Sequence, residues 1–142
     1  MTLREVLHAH IPTLDRHSTL RDAIDKMDIY QFPALVLVDG DQRPIGVLTE
    51  GDVVRAAQGR GSVVSLAYEP AHQYATAEPI CASPDQEISD ALHEMMSRGI
   101  TLLPVVQESI LLGVVLRVDL MQALLLDASA APSDAPEPDS PG

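Results

Sequence analysis

The stretch Gly46–Asp52, reading GVLTEGD, is an apolar strand-type run that stops at a hydroxyl, Thr49, and reaches a carboxylate, Asp52, three residues later. Apolar character resumes at once with Val53 and Val54. A second version stands 67 positions further on: Gly113–Asp119, GVVLRVD, followed by Leu120 and Met121. Two copies of one unit in 142 residues mark an internal duplication, and this constrains the fold more than any single residue does.

Outward from the first copy, Pro44–Thr49 reads as a return strand with Pro44 at its start, because proline has no N–H to give a ladder. Leu35–Val38 is the fully apolar strand it returns from. Asp39-Gly40 begins the turn between them, since glycine tolerates positive φ and aspartate can bond its own backbone. Further upstream, Leu20, Ala23, Ile24 and Met27 fall on one helical face, with Arg21, Asp22, Asp25 and Lys26 on the other. Ser18 or Thr19 supplies the cap and Pro33 disfavours helical geometry before it. Pro12–Leu14 is a short extended piece, and Met1–His10 a lead-in helix on Leu3, Val6 and Leu7. Downstream, a helix over Gly51–Gln58 ends at Gly59 and Gly61.

The same order returns in the second half. Pro79–Ala82 is extended. Ser83-Pro84-Asp85-Gln86 predicts a helix start, with a serine cap and proline in the first turn. Ile88, Ala91, Leu92 and Met95 repeat the earlier face 68 positions later, and Gly99 stops the helix. Strands follow at Thr101–Val106 and Leu111–Leu116, then a closing helix at Val118–Leu126. The offset slips from 68 to 67 between the strands, so the second turn is one residue shorter. Each half is thus β-α-β-β-α. At about 60 residues neither is expected to be stable alone, and the two must bury a shared aliphatic face about a pseudo-twofold axis. The expected division is a first repeat over 1–60, a linker over 61–77, a second repeat over 78–126 and a disordered acidic Pro/Ala/Ser tail over 127–142. Within Gly59–Ala77, Val63, Val64, Leu66 and Ala67 are candidates for packing, and no chemistry is assigned there.

Apolar residues make up 46% of the chain, enough for a core, and aromatics only 3%, so that core must be aliphatic. The net charge of −12 repels phosphate backbones, which argues against a nucleic-acid partner. A single cysteine, Cys81, rules out an internal disulfide and fits a reducing compartment. The histidines do not pair with cysteine at metal spacing. The N-terminus does not read as a signal peptide, and Ile110–Leu126 is broken by Arg117 and Asp119 before it could span a membrane. A cytoplasmic protein with no membrane partner is expected. No nucleophile–base pair, Gly-rich phosphate loop or metal cluster is present, so no enzyme, catalytic residue or metal is expected.

With both halves in this order, the chain resembles a tandem pair of CBS domains, the Bateman module, over about Leu3–Leu126. The run MMSRGITLLPVV at Met95–Val106 and the closing motif of Gly46, Val47, Leu48, Thr49 and Asp52 carry the resemblance. It implies an α/β (α+β) fold of two CBS repeats. It also implies a cleft between them for adenosine-containing ligands: AMP, ADP, ATP or S-adenosylmethionine, with no cofactor required. Carried over residue by residue, Asp52 would hold ribose hydroxyls and Thr49 would line the ribose and phosphate region. Phe32, Pro33 and Ala34 would form the base pocket, with Thr13 near the sugar. The other site would use Asp119, Ile100, Thr101 and Leu102, with Cys81 matching Thr13. The residue chemistry agrees. A carboxylate accepts from both hydroxyls of a cis-diol, a threonine hydroxyl donates to phosphate, and the helix start near Gly51 favours an anion.

Departures from the family pattern bear on the second site. Leu116 stands where the hydroxyl belongs, although Arg117 beside it offers a phosphate charge. One competent site, built on Thr49 and Asp52, is therefore expected. Asp52 and Asp119 also have a plainer reading as acidic residues at helix starts. The implied function is a regulatory ligand-sensing module that forms a homodimer and passes its output to a separate effector protein. The alternative is a ligand-free structural dimerisation module with vestigial clefts.

Overall fold

The computed structural model describes residues 1–62 and 64–130. The order is β1 (Thr13–Leu14), α1 (Leu20–Tyr30), β2 (Ala34–Val38), β3 (Pro44–Thr49), α2 (Glu50–Arg60), β4 (Thr76–Ala77), α3 (Ile88–Arg98), β5 (Leu102–Gln107), β6 (Ile110–Leu116) and α4 (Arg117–Ala130). The mixed α and β architecture expected from the duplication is present.

The apolar strand β2 is buried at every position because both its faces are covered. Leu35 and Leu37 face a core with α1 and α2 that includes Leu20, Ala23, Met27, Leu48 and Val53. Ala34, Val36 and Val38 turn the other way and meet Val47, Leu102 and Val114 in a core between the two sheets. The second half builds its own helix-side core from Ile88, Ala91, Met95, Leu103, Val105, Val115 and Leu120. The shared aliphatic face is thus the inter-sheet core, with one helix-covered core on either side.

The sheets are equivalent once single bridges are included. The first has the order β1-β2-β3-β4. In the second, Ala82 bridges Val105 in parallel beside β5, and His8 bridges Val114 antiparallel beside β6. These correspond to the β1–β2 pair Leu14–Leu37 and the β3–β4 pair Val47–Thr76. Each sheet is therefore completed by a segment that precedes the other half. Residues 2–8 complete the second sheet and residues 70–77 complete the first.

The same exchange covers the helix starts, whose first N–H groups have no partner within the helix. Leu20 N–H donates to Glu69 O at 2.9 Å and Ala71 N–H to Ser18 O at 2.9 Å. In the other half Ile88 N–H donates to Met1 O at 3.2 Å and Leu3 N–H to Gln86 O at 3.0 Å. Leu3 and Ala71, the residues that anchor these segments, are both fully buried.

Several local expectations are corrected. The lead-in is not a helix over Met1–His10 but a 3-10 turn at Leu3–Glu5, because its backbone is engaged by the second half. Ser83 closes a turn, accepting from Asp85 N–H at 3.2 Å, and α3 starts only at Ile88. In the first hairpin the positive φ falls on Gln42 at 64°, not on Gly40. Asp39 organises this loop by accepting from the N–H groups of Asp41 and Arg43, and the Arg43 bond chiefly holds its carboxyl below the ordinary value. The second loop is tighter, with Glu108 and Ser109 at φ 52° and 70°. Five residues separate paired Val38 and Pro44, and four separate Val106 and Leu111, as the offset slip requires. The stretch read as a plain linker carries 3-10 turns at Val64–Leu66 and Ala71–Gln73 as well as β4. In it Leu66 is buried and Val64 is exposed, while Val63 lies outside the described residues. Helix α4 runs on to Ala130, so residues 127–130 are helical, and the remainder of the expected tail, 131–142, lies outside the described residues.

Candidate functional site

Strand β3 delivers Thr49 and helix α2 delivers Asp52 to one end of the inter-sheet core. Thr49 caps α2: its hydroxyl accepts from Asp52 N–H at 3.1 Å, and Asp52 Oδ2 accepts from Thr49 N–H at 2.8 Å. The pair is a reciprocal capping box, which satisfies two backbone donors at once. Asp52 Oδ1 accepts from Arg55 at 2.6 Å. The plainer reading of Asp52 as a helix-start acid is therefore realised in the geometry. Each carboxylate oxygen still has a further lone-pair direction.

A cavity of about 330 Å³ opens beside this motif. That volume sits at the small end of the roughly 300–1,000 Å³ typical of small-molecule sites. Its walls are Val47 and Thr49 from β3, Thr76, Glu78, Pro79 and Ile80 from the lead-in to the second half, and Arg98–Leu102 from the end of α3 and the start of β5. A shallower extension adds Pro33, Glu50, Gly51, Asp52 and Arg55. Thr49, Thr76 and Thr101 place three hydroxyls around the same space. Glu78 adopts φ 50°, turning the chain out of β4 so that Pro79 and Ile80 wall the cleft. Arg55 and Arg98 line this space along with Glu50, Asp52 and Glu78; Arg55 is paired with Asp52, and Arg98 with Glu94 at 3.4 Å.

This arrangement corrects the grouping carried over from the resemblance. Asp52 and Thr49 share their cleft with Ile100, Thr101 and Leu102 rather than with Phe32 and Ala34; only Pro33 stays near, its carbonyl accepting from Glu50 N–H at 3.0 Å. The cause is the face-to-face packing of the sheets, which sets the end of β3 against the start of β5. Thr13 does not reach this cleft. It lies in β1, where its carbonyl accepts from Lys26 Nζ at 2.7 Å. Cys81 is half-buried, donates to Pro79 O at 3.5 Å, and has its thiol pushed up by burial, so it is not poised as a nucleophile.

Phe32, Ala34 and Val114 meet instead in a second space on the other side of the Ala34–Thr49 pair, with Ile11, Pro12 and Leu102, and leave no room for a water molecule. There Asp119 Oδ2 accepts from Leu116 N–H at 2.9 Å, half of a capping box because Leu116 has no hydroxyl to return. The same oxygen lies 2.8 Å from His8 Nε2. The His8 ring meets Phe32 edge to face, with centroids 5.7 Å apart. Arg117 does not point at this end: its Nε donates to Ile100 O at 2.8 Å, bracing the wall of the open cleft.

Thr76, Glu78 and Arg98 are cleft residues that sequence reasoning missed. The repeat offset of 68 held the one available signal, since it sets Thr76 opposite His8. Among the described residues, no helix is long and apolar enough to cross a membrane.

Known proteins resolve what this architecture is. The CBS domain model matches residues 3–59 and again 71–126. A 17.7 kDa protein of Acidianus ambivalens is 32% identical over 108 residues, which are 75% of this chain and 63% of that protein. The chain thus spans less than two thirds of that relative. Among solved structures, a CBS-domain protein of Agrobacterium tumefaciens superposes with a TM-score of 0.79 at 18% identity, covering 87% of this chain and 99% of that one. CBSX2, crystallised in complex with AMP, superposes with a TM-score of 0.77 at 18% identity, covering 89% and 98%. At such identities the likeness is one of fold. The two family matches, laid over two halves that exchange their lead-in segments, show that the chain belongs to the CBS domain family, as a tandem pair of the regulatory-module type.

Proposed function

We propose that the cleft at Thr49 and Asp52 binds an adenosine-containing ligand, and that binding shifts the arrangement of the two repeats. The observation that carries this reading is the composition of the cleft: its walls come from both halves and converge three threonine hydroxyls beside a carboxylate. A ligand seated there touches β3 and α2 on one side and the start of β5 on the other. It can bias an equilibrium only through different affinities for two arrangements, and a site shared between halves supplies that difference. Asp52 accepts sugar hydroxyls, the threonines and Arg55 meet phosphate, and Pro79 and Ile80 meet the base. Three carboxylates line the space while Arg55 and Arg98 are already paired with Asp52 and Glu94, which favours a lightly charged ligand such as AMP or S-adenosylmethionine over ATP. The AMP complex of CBSX2 supports the class of ligand.

A thermal-shift series with AMP, ADP, ATP, S-adenosylmethionine and NAD tests it. Ligand at about 100 times its Kd adds roughly 2.7 kcal/mol, several degrees in Tm. Asp52→Ala is expected to remove that increment while lowering the ligand-free Tm slightly through the lost cap. The engaged state of Asp52, with Thr49 and Arg55 already on it, favours the second reading, a ligand-free dimerisation module; the absence of any shift with all five compounds would select it.

In either reading the module is expected to be a homodimer that acts on a separate effector protein. Val54 is 53% exposed, Val118 53% and Met121 50%, so the outer faces of α2 and α4 present apolar surface to solvent. Light scattering at micromolar concentration should give twice the chain mass, and a monomer would sink this part.

A further inference from the structure

We propose that the second cleft is closed by the chain's own side chains, with His8 taking the place of a ligand hydroxyl on Asp119 and Phe32 filling the space beside it, so that each chain offers a single ligand site. This rests on the reading of the first cleft as an adenosyl site. The pseudo-twofold relation makes the comparison position by position. Where the open cleft has Thr76, the other end has His8; where it has Ile100, the other has Phe32; where it has Thr49, the other has Leu116. The three substituted positions are linked by contact, His8 to Phe32 and both His8 and Leu116 to Asp119, and the space that Phe32 lines with Ile11, Pro12, Ala34 and Val114 has no room for water, against about 330 Å³ in the open cleft.

The polar groups of the second closing motif are also engaged within the chain. Asp119 Oδ2 accepts from Leu116 N–H and meets His8 Nε2 at 2.8 Å, and Arg117 donates across to Ile100 O in the wall of the open cleft. The His8 backbone is fixed on β6, and its side chain, 43% exposed, covers Asp119 from the solvent side. Its N–H donates to Val114 O at 2.9 Å, its carbonyl accepts from Val114 N–H at 3.1 Å, and its ring rests against Phe32. The plug is built from the lead-in that completes the second sheet, so closing this end and completing that sheet are the same structural act.

Calorimetric titration with AMP reads the stoichiometry. The wild-type chain is expected to bind one AMP, lost in Asp52→Ala. The triple variant His8→Thr, Phe32→Ile, Leu116→Thr gives the second cleft the first cleft's residues at the three plugging positions, and is expected to bind two. The same triple variant carrying Asp52→Ala should retain one, at the reopened end. Two AMP per wild-type chain, or a folded triple variant that still binds one, would overturn the plug while leaving the adenosyl reading intact. If the triple variant does not melt cooperatively, the double variant His8→Thr, Phe32→Ile takes its place. If wild type binds no AMP, the adenosyl reading has failed and the plug is judged without ligand. In that arm, NMR signals of the His8 ring should move in both Phe32→Ile and Asp119→Asn, and signals that stay put in both would overturn it.

Discussion

Gly113→Ala is expected to destabilise the fold by about 3 kcal/mol, the upper end of ordinary overpacking. A Cβ built on Gly113 would sit 2.2 Å from the carbonyl oxygen of His8 and 2.7 Å from a Leu7 methyl. The obstacle is backbone in a bridge, which cannot rotate away as a side-chain tip can. To admit a methyl group the lead-in must lift off β6, breaking both His8–Val114 hydrogen bonds and drawing His8 from Asp119. The pseudo-symmetric Gly46 is crossed the same way, but Thr76 O lies 3.2 Å from its built Cβ, so Gly46→Ala should cost about 1 kcal/mol. Gly40 has nothing within 4 Å, and Gly40→Ala should be neutral or stabilising by about 0.5 kcal/mol. Urea unfolding of the three variants should return this ranking. A Gly113→Ala protein as stable as wild type would show that the lead-in does not pass over β6.

The glycines that open GVLTEGD and GVVLRVD therefore have a physical reason that periodicity alone does not supply. The repeat, the strand pairs and the amphipathic helices were legible because each is local: alternation, helical spacing and a proline at a strand start act within a few residues. Pro44–Thr49 was read to the residue. What could not be read was the exchange of lead-in segments. Leu3 and Ala71 share a role and an offset of 68 but not a side-chain type, and the backbone bonds they organise leave no trace in composition. Ser83-Pro84-Asp85-Gln86 failed for the same reason. Its local signal was a good helix start, yet Gln86 O and Pro84 O are taken by Leu3 and Arg4 from the far end of the chain.

The site was half legible by the same logic. Thr49, Asp52, Asp119 and the 100–102 segment were named from the resemblance, and all of them line or flank the two neighbouring clefts of the inter-sheet core. Their grouping depended on which strand end faces which, a property of sheet packing rather than of either repeat. Leu116 was readable as a missing hydroxyl. His8 was not, because its partner lies 111 residues away.

The exchange makes a second, larger claim about stability: Leu3→Ala should cost about 3–4 kcal/mol, in the range for a fully buried leucine whose site cannot collapse. Leu3 is 0% exposed and packs with Met95, Leu103 and Leu120, which are fixed by α3, β5 and α4. Its neighbours are long-range, so no local rearrangement of the 3-10 turn can refill the hole. The diagnostic is where the damage appears. Leu3 belongs in sequence to the first half, but hydrogen exchange should accelerate in α3, β5 and β6 while α1, β2 and β3 keep more of their protection, since locally coupled elements open together. Val64→Ala, at a side chain 83% exposed, should change stability by no more than about 0.5 kcal/mol and serves as the control. Equal loss of protection in both halves would mean that the inter-sheet core of Val36, Val47, Leu102 and Val114 couples the repeats more tightly than either is coupled to its borrowed segment. Loss confined to the first half would contradict the exchange itself.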